Sequence, residues 1–180
     1  MLPHELPEEL QTKYQNCFPM PVVALARDLG LEIYETKDFD KSQSGSIVKE
    51  GDKYIIYINS KHSPTRKRFS IAHEIGHFLT HRDQLDKGQE LIDYVVQTAP
   101  NGDPAKAPAL YRKIDRDMTE EERKLEQKAN LFAAELLMPA EEFKRVFETS
   151  DTIEEVAEHF NVSPSAATIR AKSLLGVFMT

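Results

Sequence analysis

Cysteine is nearly missing from this chain: Cys17 is the only one in 180 residues. No intrachain disulfide can form, and a zinc site built from several thiolates is excluded. A reducing compartment suits such a sequence. Basic charge is in the minority, with 23 Lys and Arg against 30 Asp and Glu and a net charge of −7. A phosphate backbone would repel such a chain overall, so direct nucleic-acid binding is not expected. No apolar run reaches the roughly 18 residues of a membrane span. The opening residues, MLPHELPEELQTKY, are polar and acidic where a secretory signal is basic and then apolar. The expectation is a soluble, cytoplasmic protein with no membrane partner. Internal repeats and low-complexity tracts are also lacking. What remains is 40% hydrophobic residues, enough for one core in a domain of ordinary size.

Apolar residues at Val22, Val23, Leu25, Ala26 and Leu29 have helical spacing, and Gly30 is a stop. Leu31 and Ile33 then begin an extended segment. SGSIVKEGDKYIIYIN reads as a hairpin turning at Glu50-Gly51-Asp52, its second strand, Tyr54 to Ile58, covered on both faces. Ser63-Pro64 is a helix start, with serine as N-cap and proline at the first helical position. That helix is expected to reach about His81. Residues 82–118 read as an insertion with a short helix over QELIDYVVQ and a proline-rich loop, TAPNGDPAKAPA. Thr119 and Glu122 form a capping box for a long helix ended by Pro139. A shorter helix, AEEFKRVFE, precedes two helices joined by a tight turn at Asn161 to Ser163, the first capped by Asp151 or Thr152.

The chemistry concentrates in FSIAHEIGHFLTH, residues 69–81. Residues four apart on a helix share a face, so His73 and His77 present two imidazoles to one point. Glu74 lies about 100° round the helix from His73, beside that point instead of on it. This is the H-E-x-x-H arrangement of two metal ligands and a general base. Zinc held by three protein ligands acidifies a water to a pKa of about 7. Glu74 is placed to take its proton and deliver it to a leaving amide nitrogen. Gly76 is costly in a helix interior and suits the close approach of another helix.

Two histidines need a third ligand. Asp83 and Thr80 break the register of a metzincin third histidine. His81 lies about 6 Å further along the axis than His77, too far for the same ion, and reads as a bystander facing the helix macrodipole. Acids on the later helix remain. Glu126 with Asn130 one turn on offers a ligand and an amide to orient an imidazole. Glu120, Glu121 and Glu122 lie in the first turn, where capping and the helix dipole account for them, and Glu135 sits deeper in an apolar stretch. On spacing alone Glu126 is only the best of several candidates.

RKRFSIAHEIGHFLTH, preceded by SGSIVKEGDKYIIYINS and followed by EQKANLFAAELLMP, resembles the ImmA/IrrE family of zinc metallopeptidases over most of residues 20–140. The resemblance implies an α+β, zincin-like core in which a small sheet packs on helices including the HExxH helix. It implies Glu126 as third ligand to Zn2+, gluzincin-like, with His73 and His77 as the others and Glu74 as base. It also implies an intracellular protein that cleaves, or relieves repression by, a helix-turn-helix repressor or antitoxin of a phage, mobile element or toxin–antitoxin-like pair. Residues 82–118 depart from the compact family pattern. The expected organisation is a metallopeptidase domain over 1–148 and a helix-turn-helix-like segment over 149–180.

Other features have plainer readings. The hairpin offers an edge strand on which an extended substrate could pair. Tyr57, Tyr94, Tyr111, Arg112 and His159 are candidate oxyanion partners that the sequence does not separate. Arg66, Lys67 and Arg68 read as a solvated helix face. The second C-terminal helix offers only Arg170 and Lys172, and residues 150–180 carry a balance of −2 from four acids and those two bases. That segment reads as a packing or partner-binding appendage ahead of a DNA reader. Two alternatives to an endopeptidase stand: a metal-stabilised module that binds a repressor without cutting it, and a DNA-binding regulator using residues 151–178.

Overall fold

Cap and turn residues set most element boundaries in the computed structural model, which describes residues 2–88, 91–94 and 119–176. A first helix not anticipated from the sequence, α1 (Glu8–Tyr14), precedes α2 (Val22–Asp28). Gly30, at φ +79°, turns the chain from α2 into β1 (Leu31–Thr36). The hairpin forms as β2 (Gln43–Glu50) and β3 (Lys53–Asn59), with Gly51 at φ +60° in its turn. The Ser63 hydroxyl accepts from the Arg66 amide at 3.4 Å and starts α3 (Pro64–Thr80).

A five-residue helix, α4 (Arg82–Asp86), follows, and then β4 (Leu91–Tyr94). Thr119 and Glu122 exchange both capping hydrogen bonds, at 2.6 and 3.2 Å, to open α5 (Glu120–Leu137). Then come α6 (Ala140–Thr149), α7 (Ile153–Phe160) and α8 (Pro164–Leu175). Thr152 caps α7, and Asn161 at φ 51° makes the turn before Ser163 caps α8.

The four strands lie in the order β1-β3-β2-β4. β3 pairs parallel with β1 and antiparallel with β2, which is why its Tyr54, Ile55, Ile56 and Ile58 are all buried. The short helix expected over QELIDYVVQ is a correction. Residues 91–94 form a strand that pairs antiparallel with β2. A short run of apolar and aromatic residues does not distinguish helix from strand by period. The unpaired backbone of β2 decides it, since β4 satisfies those groups. The hairpin edge expected to receive a substrate is therefore already paired over Gln43 to Ile47. The proline-rich loop lies outside the described residues.

The basic triplet is also corrected. Arg66 Nη2 donates to Ser44 Oγ of β2 at 2.9 Å, and Lys67 pairs with Glu35 of β1 at 2.8 Å. Arg68 donates to the carbonyls of Asn161 at 3.1 Å and Met20 at 2.9 Å. The first turns of α3 face four separate segments, so each cation is engaged by another part of the fold. Arg170 of α8 is likewise buried, donating to the Met138 carbonyl at 3.0 Å and to Glu135. The buried apolar cluster runs from Leu2 and Leu6 through α3 and α5 to Phe160, Ala167 and Ala171. Among the described residues no helix is long and apolar enough to cross a membrane.

α3 lies between the sheet and α5, and every residue from Ser70 to Phe78 is buried. Gly76 makes the α5 contact possible. A Cβ there would stand 3.1 Å from Phe132 Cδ1 and 3.2 Å from Ala129 Cα. Ala129 is one turn beyond Glu126, so this approach brings the acid to the histidine pair. Gly76→Ala would gain helix propensity of about 1 kcal/mol but overpack a backbone contact, which costs about 1–3 kcal/mol. The expected net result is a loss of about 1 kcal/mol, read as a lower urea midpoint at unchanged slope.

Candidate metal centre

His73 and His77 project from successive turns of α3, with their Nε2 atoms 3.0 Å apart. Glu126 of α5 reaches them from the opposite side. Its Oε2 lies 3.2 Å from His73 Nε2 and its Oε1 3.0 Å from His77 Nε2. Among the described residues, these three are the group of His, Cys, Asp and Glu side chains whose donor atoms lie within 4.8 Å of one another. The alternatives on α5 are placed elsewhere. Glu122 closes the capping box, and Glu135 bonds Arg170 and the Ala140 amide.

The donor set fits a divalent ion. Tetrahedral zinc with bonds of about 2.0–2.1 Å places its ligand atoms about 3.3 Å apart, close to the separations here. Two imidazoles and one carboxylate are also the chemistry of a zinc site that keeps a position open. The imidazoles are fully buried while the Glu126 side chain is 25% exposed, so solvent reaches the centre from the Glu126 side. Burial alone would raise the Glu126 pKa. Hydrogen bonds from His73 and then His77, whose Nε2 atoms carry the donated protons when no ion replaces them, outweigh it and draw the pKa down to about 2, so the carboxylate is ionised at neutral pH.

The outer ring nitrogens are held as well. A histidine that binds metal through Nε2 carries its proton on Nδ1. His73 Nδ1 lies 3.1 Å from Asn130 Oδ1, and His77 Nδ1 lies 3.2 Å from His81 Nδ1. Asn130 Oδ1 is an acceptor for the His73 proton, and the His81 ring, whose Nδ1 also meets the Thr80 hydroxyl at 2.9 Å, packs against the His77 Nδ1, so both rings are held in orientation. His81 is 6% exposed, and burial pushes its pKa down to about 4, with His77 adding to the effect. A neutral ring has no charge to offer the helix macrodipole. The bystander reading of His81 is therefore corrected: it buttresses His77. The four-residue step from His77 to His81 was the available signal, since it puts the two rings on one face.

Glu74 is fully buried beside this trio but outside it, with its carboxylate facing Gly45 of β2. The oxyanion candidates are dispersed. Tyr57 donates to Glu50 at 3.0 Å, and His159 lies 3.2 Å from Glu142. Tyr94 sits opposite Gln43 in β4, while Tyr111 and Arg112 lie outside the described residues.

The sequence matches the IrrE N-terminal-like domain, a peptidase family, over residues 21–99 and 104–172. The chain belongs to this family. Both the HExxH helix and the helix bearing Glu126 fall within the matched residues, so this IrrE N-terminal-like domain is a member of a metallopeptidase family with a metal-competent site. No curated protein matches it. Among solved structures it is similar to a Mycobacterium tuberculosis transcriptional regulator, with a TM-score of 0.53 at 18% identity. The match covers 84% of this chain and 40% of that one, so the chain spans well under half of the regulator's length. The likeness is one of fold.

Replacing His81 or Asn130 by leucine removes one acceptor from a ligating imidazole. Each variant should stay folded and bind zinc about 10–100-fold more weakly, as measured by competition with a chromophoric chelator.

Proposed function

We propose that this domain is a zinc-dependent endopeptidase acting in the cytoplasm on one protein partner, a helix-turn-helix repressor or antitoxin. The observation that carries the reading is the division of labour around α3. Three donors from two helices converge on one point, and a fourth group, the carboxylate of Glu74, lies next to them without joining them.

Zinc bound there would polarise a peptide carbonyl and acidify water. His73, His77 and Glu126 would hold the ion, with Asn130 and His81 keeping the two rings in orientation. Glu74 takes the proton of the attacking water and hands it to the departing amide nitrogen. Its buried setting excludes bulk water from that proton's path. The net charge of −7 favours a basic protein partner over a nucleic acid. The internal bonds of Arg170 weigh against a DNA reader in the C-terminal helices, because that cation is one of only two in α8.

Where a helix-turn-helix repressor is encoded beside this chain, co-expression of the two should yield two repressor fragments, resolved by mass spectrometry. Glu74→Gln should keep about one zinc per chain and leave the repressor whole. If that variant still relieves repression without cutting, the domain works as a binding module and the peptidase reading fails.

A further inference from the structure

The strand facing the base is interrupted where it passes α3. β2 pairs Gln43 with Tyr94 but Gly45 with Asp93, a register shift of the kind a bulge makes. Two side chains pin this stretch. Asn59 donates to the Asp40 and Gln43 carbonyls at 2.7 and 2.8 Å, and Arg66 of α3 donates to Ser44 Oγ at 2.9 Å. Gly45 comes directly after this anchored stretch. Its φ is not in the left-handed region, so its conformation does not require glycine.

Space does. A Cβ on Gly45 would stand 2.9 Å from Glu74 Oε1, 3.2 Å from Ile58 Cδ1 and 3.3 Å from the Tyr57 carbonyl oxygen. Ile58 and the Tyr57 backbone belong to the central strand and have little room to give. Glu74 is the movable neighbour, yet it is fully buried, so displacement directs its carboxylate away from β2.

We propose that Gly45 is a positioning residue for Glu74: its missing side chain leaves the recess that seats the carboxylate beside the His73, His77 and Glu126 cluster. The role as base rests on the peptidase reading; the contact does not. A glycine inside a strand marks a place where another group must come close, and here that group is a carboxylate. Misplacing a catalytic group by about 1 Å costs about 100-fold in rate.

The test is Gly45→Ala, made both in the Glu74 chain and in Glu74→Ala. The single variant should retain its zinc and lower kcat about 100-fold with KM nearly unchanged. Thermal unfolding supplies a readout independent of cleavage. Gly45→Ala should lower Tm clearly when Glu74 is present and by less than half as much when residue 74 is alanine. Equal losses of Tm in both backgrounds would overturn the proposal, since the clash would then be with the sheet alone. Wild-type kcat in Gly45→Ala would overturn it too. Should the single variant not fold, recovery of folding in the double variant supports the contact, and failure of both refutes it. A chain that cleaves nothing would sink the peptidase reading, while the Tm comparison would still decide whether Gly45 and Glu74 are coupled.

Discussion

The approach of α5 to α3 at Gly76 is the contact on which the metal centre depends. An ordinary pair of helices is held 8–10 Å apart by its side chains, and here one helix contributes no side chain at the crossing. Ala129 and Phe132 fill that gap, and Glu126, one turn back from Ala129, arrives within 3.2 Å of both imidazoles. The same crossing places Asn130 against the outer nitrogen of His73. Glu126 and Asn130 therefore meet the two imidazoles from consecutive turns of one helix, and both are set by one close contact.

Burying two histidines and Glu74, and half-burying Glu126, is unfavourable unless each finds a partner. The structure answers by building the core around them. Apolar residues of α3, the sheet and α5 enclose the polar cluster, and the cations at the start of α3 fasten its surroundings to β1, β2 and the C-terminal turn. The stability of the fold and the geometry of the site thus share the same residues. β2 takes part in both, as a partner of β3 and as the wall against which Glu74 lies.

Much of this was readable from local patterns. Helix geometry alone put His73 and His77 on one face with Glu74 beside them, and Ser63-Pro64, Thr119 with Glu122, and Gly51 announced their caps and turn. The readings that failed involved partners distant in sequence. QELIDYVVQ follows no period strong enough to resist an open strand edge, so β2 recruited residues 91–94 into the sheet. Arg66, Lys67 and Arg68 read as a surface run in the sequence, but four different segments fold against them. His81 looked peripheral because its position along the helix rules it out as a ligand but says nothing about whom its ring meets.

What the sequence by itself determined is a helix carrying two imidazoles at one point, because a four-residue step on an α-helix has only one geometry. Family resemblance then singled out Glu126, which spacing could not do. Tertiary structure decided which acid joins the two imidazoles, which groups hold the rings, and where the Glu74 carboxylate is seated. Each of those depends on the separation between elements far apart in the chain. That separation is set by which side chains are absent at a crossing, at Gly76 and at Gly45, and becomes visible only once the neighbouring element is in place.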